Sequence, residues 1–122
     1  MNDMNFRSIC ANTETRVCFG HIRAASSTAI TPVNNHPFVF GRHAFMHNGV
    51  ISHFTQIRRG MMELMSDAAF SNVHGGSDSE HLAALYMTYL TDSGPTSDFE
   101  KEYPASKMAW SLHEAVEKGE SV

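Results

Sequence analysis

The sequence predicts an α+β fold in which amphipathic helices stack on a mostly antiparallel β-sheet. Two observations lead to this prediction. Short runs rich in β-branched and aromatic residues occupy positions 17–22, 38–40 and 43–47, which is typical of strands. From position 54 onward the apolar residues recur every three or four positions, which is typical of helices. Three strands followed by three helices favour a layered α+β domain over a doubly wound α/β domain, in which strands and helices alternate.

Three helices are predicted from their apolar spacing and from the signals at their ends. The first has Ser52 as its N-cap, followed by an apolar stripe at Phe54, Ile57, Met61, Leu64 and Met65. The second follows Ser77, which has with Glu80 the spacing of a capping box. The third spans about residues 104–118, where a proline suits the first turn and Gly119 is a stop signal.

Length and charge limit the possible classes of protein. A chain of 122 residues is long enough for one domain with its own core. Three short strands and three amphipathic helices leave apolar surface without a partner, so we expect a single partial domain, cut at both ends. The net charge of −4 gives no electrostatic reason to expect nucleic acid or an anionic membrane as partner. No apolar run approaches the roughly 20 residues of a membrane helix. Two cysteines make no disulfide framework, which indicates a reduced, cytoplasmic protein.

The segment HPFVFGRHAFMHNGVIS, residues 36–52, admits more than one interpretation. The pair Asn48-Gly49 suits a two-residue hairpin turn, but a helical pattern follows it instead of another strand. Alternatively, the side-chain N–H of Asn48 and a neighbouring backbone N–H could both donate to the oxygen of a tetrahedral intermediate. Gly49 would then allow a tight turn and a close approach to a substrate.

The histidines of this segment suggest a metal site as a further alternative. His43 and His47 are four residues apart on a predicted strand and would share a face. His21 and His36 could join them. However, no Asp or Glu lies between residues 15 and 62, and the chain contains no HExxH pattern. These absences disfavour a metal site.

Other chemical patterns are weak. Residues 74–77, HGGS, precede a predicted helix N-terminus, which favours anions, but the lysine of a P-loop is absent. No GxSxG sequence supports a serine triad. Cys18 lies within a predicted buried strand, where a thiol is usually unreactive.

Four stretches, in this order, carry a resemblance: GHIRAAS at 20–26, NNHPF at 34–38, FMHNGVIS at 45–52 and GGSDSE at 75–80. Together they resemble the glutamine amidotransferases of class II, which are N-terminal-nucleophile hydrolases. Within that class they look most like the glutathione-degrading branch of fungi and bacteria. The resemblance implies a partial four-layer αββα fold, hydrolysis of a γ-glutamyl amide, and no cofactor or metal.

The resemblance also implies roles for individual residues. Arg23 would bind the α-carboxylate of the glutamyl substrate, which a guanidinium fork matches, and Asp78 would hold the α-ammonium. A simpler interpretation of Asp78 is a favourable charge at a helix N-terminus. The remaining assigned residues are Ser26 and His36, which would line the same site, and Asn48 and Gly49, which would form the oxyanion hole.

The chain departs from the family pattern in two respects. Ala24 and the Ser27-Thr28 pair stand where many members have Trp and His-Gly, which fits the glutathione-degrading branch better. The family nucleophile is an N-terminal cysteine, whereas residue 2 is Asn here and Cys10 and Cys18 are internal. We therefore expect either a fragment of an active hydrolase or an inert glutamyl-binding module. The resemblance also implies a metallopeptidase-like protein partner.

Overall fold

The computed structural model describes residues 3–25 and 28–122. The elements in chain order are α1 (Met4–Asn12), β1 (Phe38–Phe40), β2 (His43–Phe45), α2 (Phe54–Glu63), α3 (Asp67–Phe70), α4 (Asp78–Leu90) and α5 (Ala105–Glu120). Short 3-10 helices occur at Pro32–Asn34 and Thr96–Glu100. Helices combined with a small antiparallel sheet confirm the α+β prediction. None of the helices in the described ranges is long and apolar enough to cross a membrane.

Strands β1 and β2 form a two-stranded antiparallel sheet in which Phe38 pairs with Phe45 and Phe40 with His43. Gly41 makes the turn with a φ of +55°, where a residue without a Cβ meets no steric penalty. The side chains of Phe38 and Phe40 are buried, whereas that of Val39 is exposed. One face of β1 therefore packs towards the core, where it contacts α4.

The predicted strand at 17–22 is wrong. These residues are irregular, and Ile22 is 99% exposed. A strand needs a neighbour that shares its backbone hydrogen bonds, and among the described residues only β1 and β2 pair. Cys18, predicted to be buried, is exposed as well.

Helix α4 is the centre of the molecule. It is buried on nearly all sides, and α2, α3, α5 and β1 all pack against it. Ser77 caps it as predicted, because its hydroxyl accepts a hydrogen bond from the backbone N–H of Glu80 at 3.1 Å. The reciprocal half of the predicted capping box does not form. The Glu80 carboxylate instead accepts from the N–H groups of His74 and Gly75 at 2.9 and 2.8 Å, which fixes the loop before the helix.

Two predicted helix ends are wrong. His53, with a φ of 55°, is the N-cap of α2 in place of Ser52. Helix α5 passes through Gly119 and ends at Glu120. A Cβ at Gly119 would lie 3.4 Å from the Met61 Cε, so this glycine allows α5 to approach α2 closely instead of ending the helix.

Candidate functional site

A cavity of about 280 Å³ lies at the N-terminus of α4, bordered by residues 21–24, Thr28 and residues 47–50. Ligand sites are typically about 300–1,000 Å³ in volume, so this cavity suits a molecule the size of an amino acid. Of the six residues predicted to form a glutamyl site, it is lined by Arg23, His36, Asn48, Gly49 and Asp78. The sixth, Ser26, falls outside the described residues.

Asp78 is the first residue of α4 and connects this helix to the loop on the other side of the cavity. Its Oδ1 accepts a hydrogen bond from the Ser79 N–H at 2.8 Å. Its Oδ2 accepts from the Ile51 N–H at 2.9 Å. A negative charge is favourable at a helix N-terminus, but the contact with Ile51 shows that Asp78 also holds the chain just after Asn48-Gly49.

His47 fixes the same loop from the other end. Its Nδ1 lies 3.0 Å from the Ser79 Oγ, and its carbonyl oxygen lies 3.1 Å from the His21 Nε2, which can donate to it. The imidazole lies against Gly49, since a Cβ there would be 2.7 Å from the His47 Nε2. The Asn48-Gly49 turn is therefore held between two anchored residues, His47 and Ile51.

His36 forms the inner wall of the cavity. Its ring stacks on that of His21 at a centroid distance of 3.9 Å and meets the edge of Phe38 at 4.7 Å. Both ring nitrogens are buried and form no hydrogen bond with any described residue. Burial lowers the pKa of His36 below its ordinary value, with smaller contributions in the same direction from His21, His47 and Arg23. His36 is thus an uncharged wall at neutral pH.

Arg23 and Asp78 give the cavity one cationic and one anionic group. The Arg23 guanidinium also donates to the Thr28 hydroxyl. A zwitterionic amino acid carries a carboxylate and an ammonium, which complement this pair of charges. Asn48 and Gly49 also line the cavity, and N–H groups of such residues can donate to an oxygen of a bound molecule.

Sequence reasoning missed Asn34, which joins the two loops that lead into the cavity. This buried amide donates to the Ala29 carbonyl at 2.9 Å and accepts from the Gly76 N–H at 3.0 Å. A Cβ at Gly75 would overlap the Asn34 Oδ1, so the close approach requires glycine there. The signal was present in the NNHPF stretch, but nothing in the sequence distinguishes the buried Asn34 from its exposed neighbour Asn35.

The prediction that His43 and His47 share a strand face is wrong, because β2 ends at Phe45. His47 lies beyond the end of β2, whereas the His43 Nε2 lies 3.0 Å from the carbonyl of Lys101. In the part of the chain that the structure describes, no three His, Cys, Asp or Glu residues are grouped as a metal site. Cys10 and Cys18 are exposed and are not among the residues that line the cavity.

Comparison with known proteins relates the chain to glutamine-utilising enzymes. It is 32% identical over 93 residues to the probable glutamine amidotransferase DUG3 of Saccharomyces cerevisiae, a match that covers 76% of this chain and 26% of that protein. It is 28% identical over 109 residues to the glutamine–fructose-6-phosphate aminotransferase (isomerizing) of Geobacillus kaustophilus, covering 87% of this chain and 17% of that protein.

A probable glutamine–fructose-6-phosphate aminotransferase (isomerizing) of Acanthamoeba polyphaga mimivirus is 30% identical over 105 residues, which cover 84% of this chain and 16% of that protein. The matches thus span between 16% and 26% of the length of these three relatives. No family model and no solved structure matches the chain.

Proposed function

The chain belongs to the class II glutamine amidotransferase family, and from this premise we propose that its cavity binds the glutamyl part of a γ-glutamyl amide. The complete protein would hydrolyse that amide. The observation that carries the proposal is the cavity at the N-terminus of α4, where residues from four separate motifs of the sequence meet.

Each charged group of the cavity has a partner on a glutamyl ligand. The Arg23 guanidinium pairs with the α-carboxylate, and the Asp78 carboxylate pairs with the α-ammonium. The γ-carbonyl oxygen then points to the Asn48-Gly49 turn, whose N–H groups stabilise the negative charge that develops when the carbonyl is attacked. Removal of one such donor typically lowers the rate about 10²–10³-fold.

The attacking group in this family is an N-terminal cysteine whose own α-amine is the base. It forms a thioester with the γ-carbonyl and releases the amine, and water then releases glutamate. Neither Cys10 nor Cys18 lines the cavity. This observation favours a second candidate for the chain as it stands, which is glutamyl binding without turnover.

Glutamine and glutathione are the two γ-glutamyl amides that we propose as ligands. Both present the same amino-acid end to Arg23 and Asp78. The similarity to DUG3 and the residues Ala24, Ser27 and Thr28 support the glutathione-degrading branch, which adds a metallopeptidase-like protein partner to the proposal. The described elements would then form part of a four-layer αββα domain in a cytoplasmic protein.

Isothermal titration of the folded 122-residue chain with L-glutamine, glutathione and L-glutamate tests glutamyl binding. We expect Asp78→Asn and Arg23→Gln to weaken binding at least tenfold, since each removes a charge-assisted contact. Asp67→Asn is the matched control for Asp78, because Asp67 also begins a helix directly after a serine N-cap. Arg59→Gln is the control for Arg23, because Arg59 is exposed and pairs with Glu63 within α2.

Two results would count against the proposal. One is a folded chain that binds none of the three ligands. The other is equal weakening by the site variants and their controls. Release of glutamate from glutamine by this chain would refute binding without turnover and would show that a nucleophile reaches the cavity.

A further inference from the structure

We propose that Asp78, Ser79 and His47 form a hydrogen-bond relay that fixes the His47 imidazole as an acceptor at the cavity. There it favours ligands whose γ-carbonyl carries an N–H group. The identity of the ligand rests on the proposed function, whereas the relay rests only on the contacts within the chain.

The contacts of the relay determine which atom carries each hydrogen. The Ser79 Oγ lies 3.3 Å from the Asp78 Oδ1 and 3.0 Å from the His47 Nδ1. An ionised carboxylate can only accept, and it attracts a hydroxyl hydrogen more strongly than a neutral ring nitrogen does, so the relay gives the Ser79 hydrogen to Asp78. The hydroxyl oxygen then has only lone pairs to offer His47, and the Nδ1 of His47 must carry a proton.

The other nitrogen of His47 follows from this assignment. A neutral imidazole has one N–H, so a proton on Nδ1 leaves a lone pair on Nε2. This nitrogen lies beside Gly49, 2.7 Å from the position of a Cβ there. The hydrogen bond of the ring with Ser79 uses Nδ1 and leaves Nε2 available. An acceptor thus lies next to the Asn48 and Gly49 donors.

An acceptor beside two donors matches one kind of γ-group. In an amide, the carbonyl oxygen can accept from Asn48 and Gly49 while the nitrogen donates to the His47 Nε2. The γ-carboxylate of glutamate has no hydrogen to donate, so its second oxygen would meet the imidazole lone pair and be repelled. The relay therefore favours γ-glutamyl amides over glutamate, which is the product of their hydrolysis.

The tautomer of His47 can be read directly from the nitrogen shifts of its ring in long-range ¹H–¹⁵N NMR spectra at a pH where the ring is neutral. We expect the Nδ1–H form in the unmodified chain. Ser79→Ala removes the acceptor and should shift His47 towards the Nε2–H form, which a free imidazole favours. Ser79→Thr keeps the hydroxyl and should restore the Nδ1–H form. Ser106→Ala is the matched control, because Ser106 is the exposed second residue of α5 as Ser79 is the second residue of α4.

Binding adds a readout that a merely structural role would not move. We expect Ser79→Ala to weaken glutamine binding about three- to tenfold, the effect of one lost hydrogen bond. Glutamate binding should stay constant or tighten, so the preference for the amide falls, and Ser79→Thr should restore it. Equal weakening of both ligands would overturn the acceptor role.

The relay and the proposed function can fail separately. An Nε2–H form in the unmodified chain, or a tautomer that does not respond to Ser79→Ala, would overturn the relay even if glutamine binds. A chain that binds neither ligand would instead refute the proposed function and, with it, the selection of amides. The ring spectra would still decide the relay.

Discussion

Gly49 shows why a single hydrogen atom in place of a side chain matters at this site. The His47 imidazole occupies the space in which a Cβ would stand. Gly49→Ala should displace the ring, break the His47–Ser79 hydrogen bond and weaken glutamine binding about tenfold or more. The global stability should change little, because the displaced atoms are the far end of one side chain. Titration calorimetry and urea unfolding measure the two effects.

Gly76→Ala is the matched control for this change. A Cβ at Gly76 would meet no atom within 4 Å, and Gly76 belongs to the loop on the other side of the cavity. Glutamine affinity that is equal in the Gly49→Ala variant and the unmodified chain would show that the ring position does not matter for binding.

The buried side chain of Asn34 predicts a loss of stability when it is removed. Asn34→Ala should lower the free energy of unfolding by about 1–3 kcal/mol, since it leaves the Gly76 N–H and the Ala29 carbonyl without their partner. Asn35→Ala removes the same side chain from the exposed neighbouring position and should cost much less. Urea unfolding of both variants checks this prediction, and equal losses would contradict it.

The sequence motifs predicted which residues come together, but not the contacts between residues that are distant in the chain. The resemblance of the motifs predicted that Asn48, Gly49 and Asp78 lie close together, and all three line one cavity. The contacts that hold them could not be predicted, since the Asp78–Ile51 and His47–Ser79 bonds join residues 27 and 32 positions apart. Nothing in the order of the residues indicates which distant N–H a carboxylate will meet.

Among the secondary-structure elements, helices depend on residues close in the chain, whereas strands depend on distant partners. The central helix α4 was predicted with its cap because helix formation depends on residues three or four positions apart. The predicted strand at 17–22 depended on a distant partner that pairs with it, and no described segment does. Gly119 was misread as a stop signal because its role is the close contact of α5 with Met61.

Helices α2 and α4 are joined by His81, a fully buried histidine. Its Nδ1 donates to the Ser77 carbonyl at 2.8 Å, and its Nε2 accepts from the Arg58 Nε at 3.1 Å. Burial is the main cause that lowers the pKa of His81, and the Arg58 charge adds to it. The bond to Ser77 and the charges of Glu80 and Asp78 partly oppose the shift. The ring therefore stays neutral in the folded protein under conditions that would protonate it in the unfolded chain.

This buried histidine predicts how stability depends on pH. With the folded pKa below the unfolded value of about 6.5, stability is complete above that value and falls as the pH drops below it, because the unfolded state binds the proton more readily. The urea concentration at the unfolding midpoint should therefore decrease when the pH is lowered from 7.5 to 5.5. His81→Gln should reduce the fall without abolishing it, since the pKa of His36 is lowered too. His113→Gln, at an exposed position of α5, is the control. A fall of full size in His81→Gln would contradict the assignment.

At the scale of the whole molecule, burial is distributed unevenly along the chain. Helix α4 is buried almost throughout, whereas α1 has no buried residue at all. Met4, Phe6 and Ile9 of α1 expose most of their surface, and Trp110 on the outer face of α5 is 52% exposed. Tertiary packing supplies most of the stability of helices in proteins. Local stability should therefore be highest at α4 and lowest at α1.

Amide hydrogen exchange measures the local stability of each helix separately. Isolated helices shorter than about 12–15 residues are marginal in water, and α1 has only 9 residues. Its amides should exchange near the rate of an unprotected chain, while those of residues 82–90 should exchange only through global unfolding. Helix α5 is the internal control, since it is longer than α1 but buries only Ser111, Ala115 and Gly119, and its amides should exchange at intermediate rates. Amides of α1 that exchange as slowly as those of α4 would show that its apolar side chains are covered in solution. A dependence of that protection on protein concentration would identify the cover as a second copy of the chain, and its absence would indicate contact within one molecule.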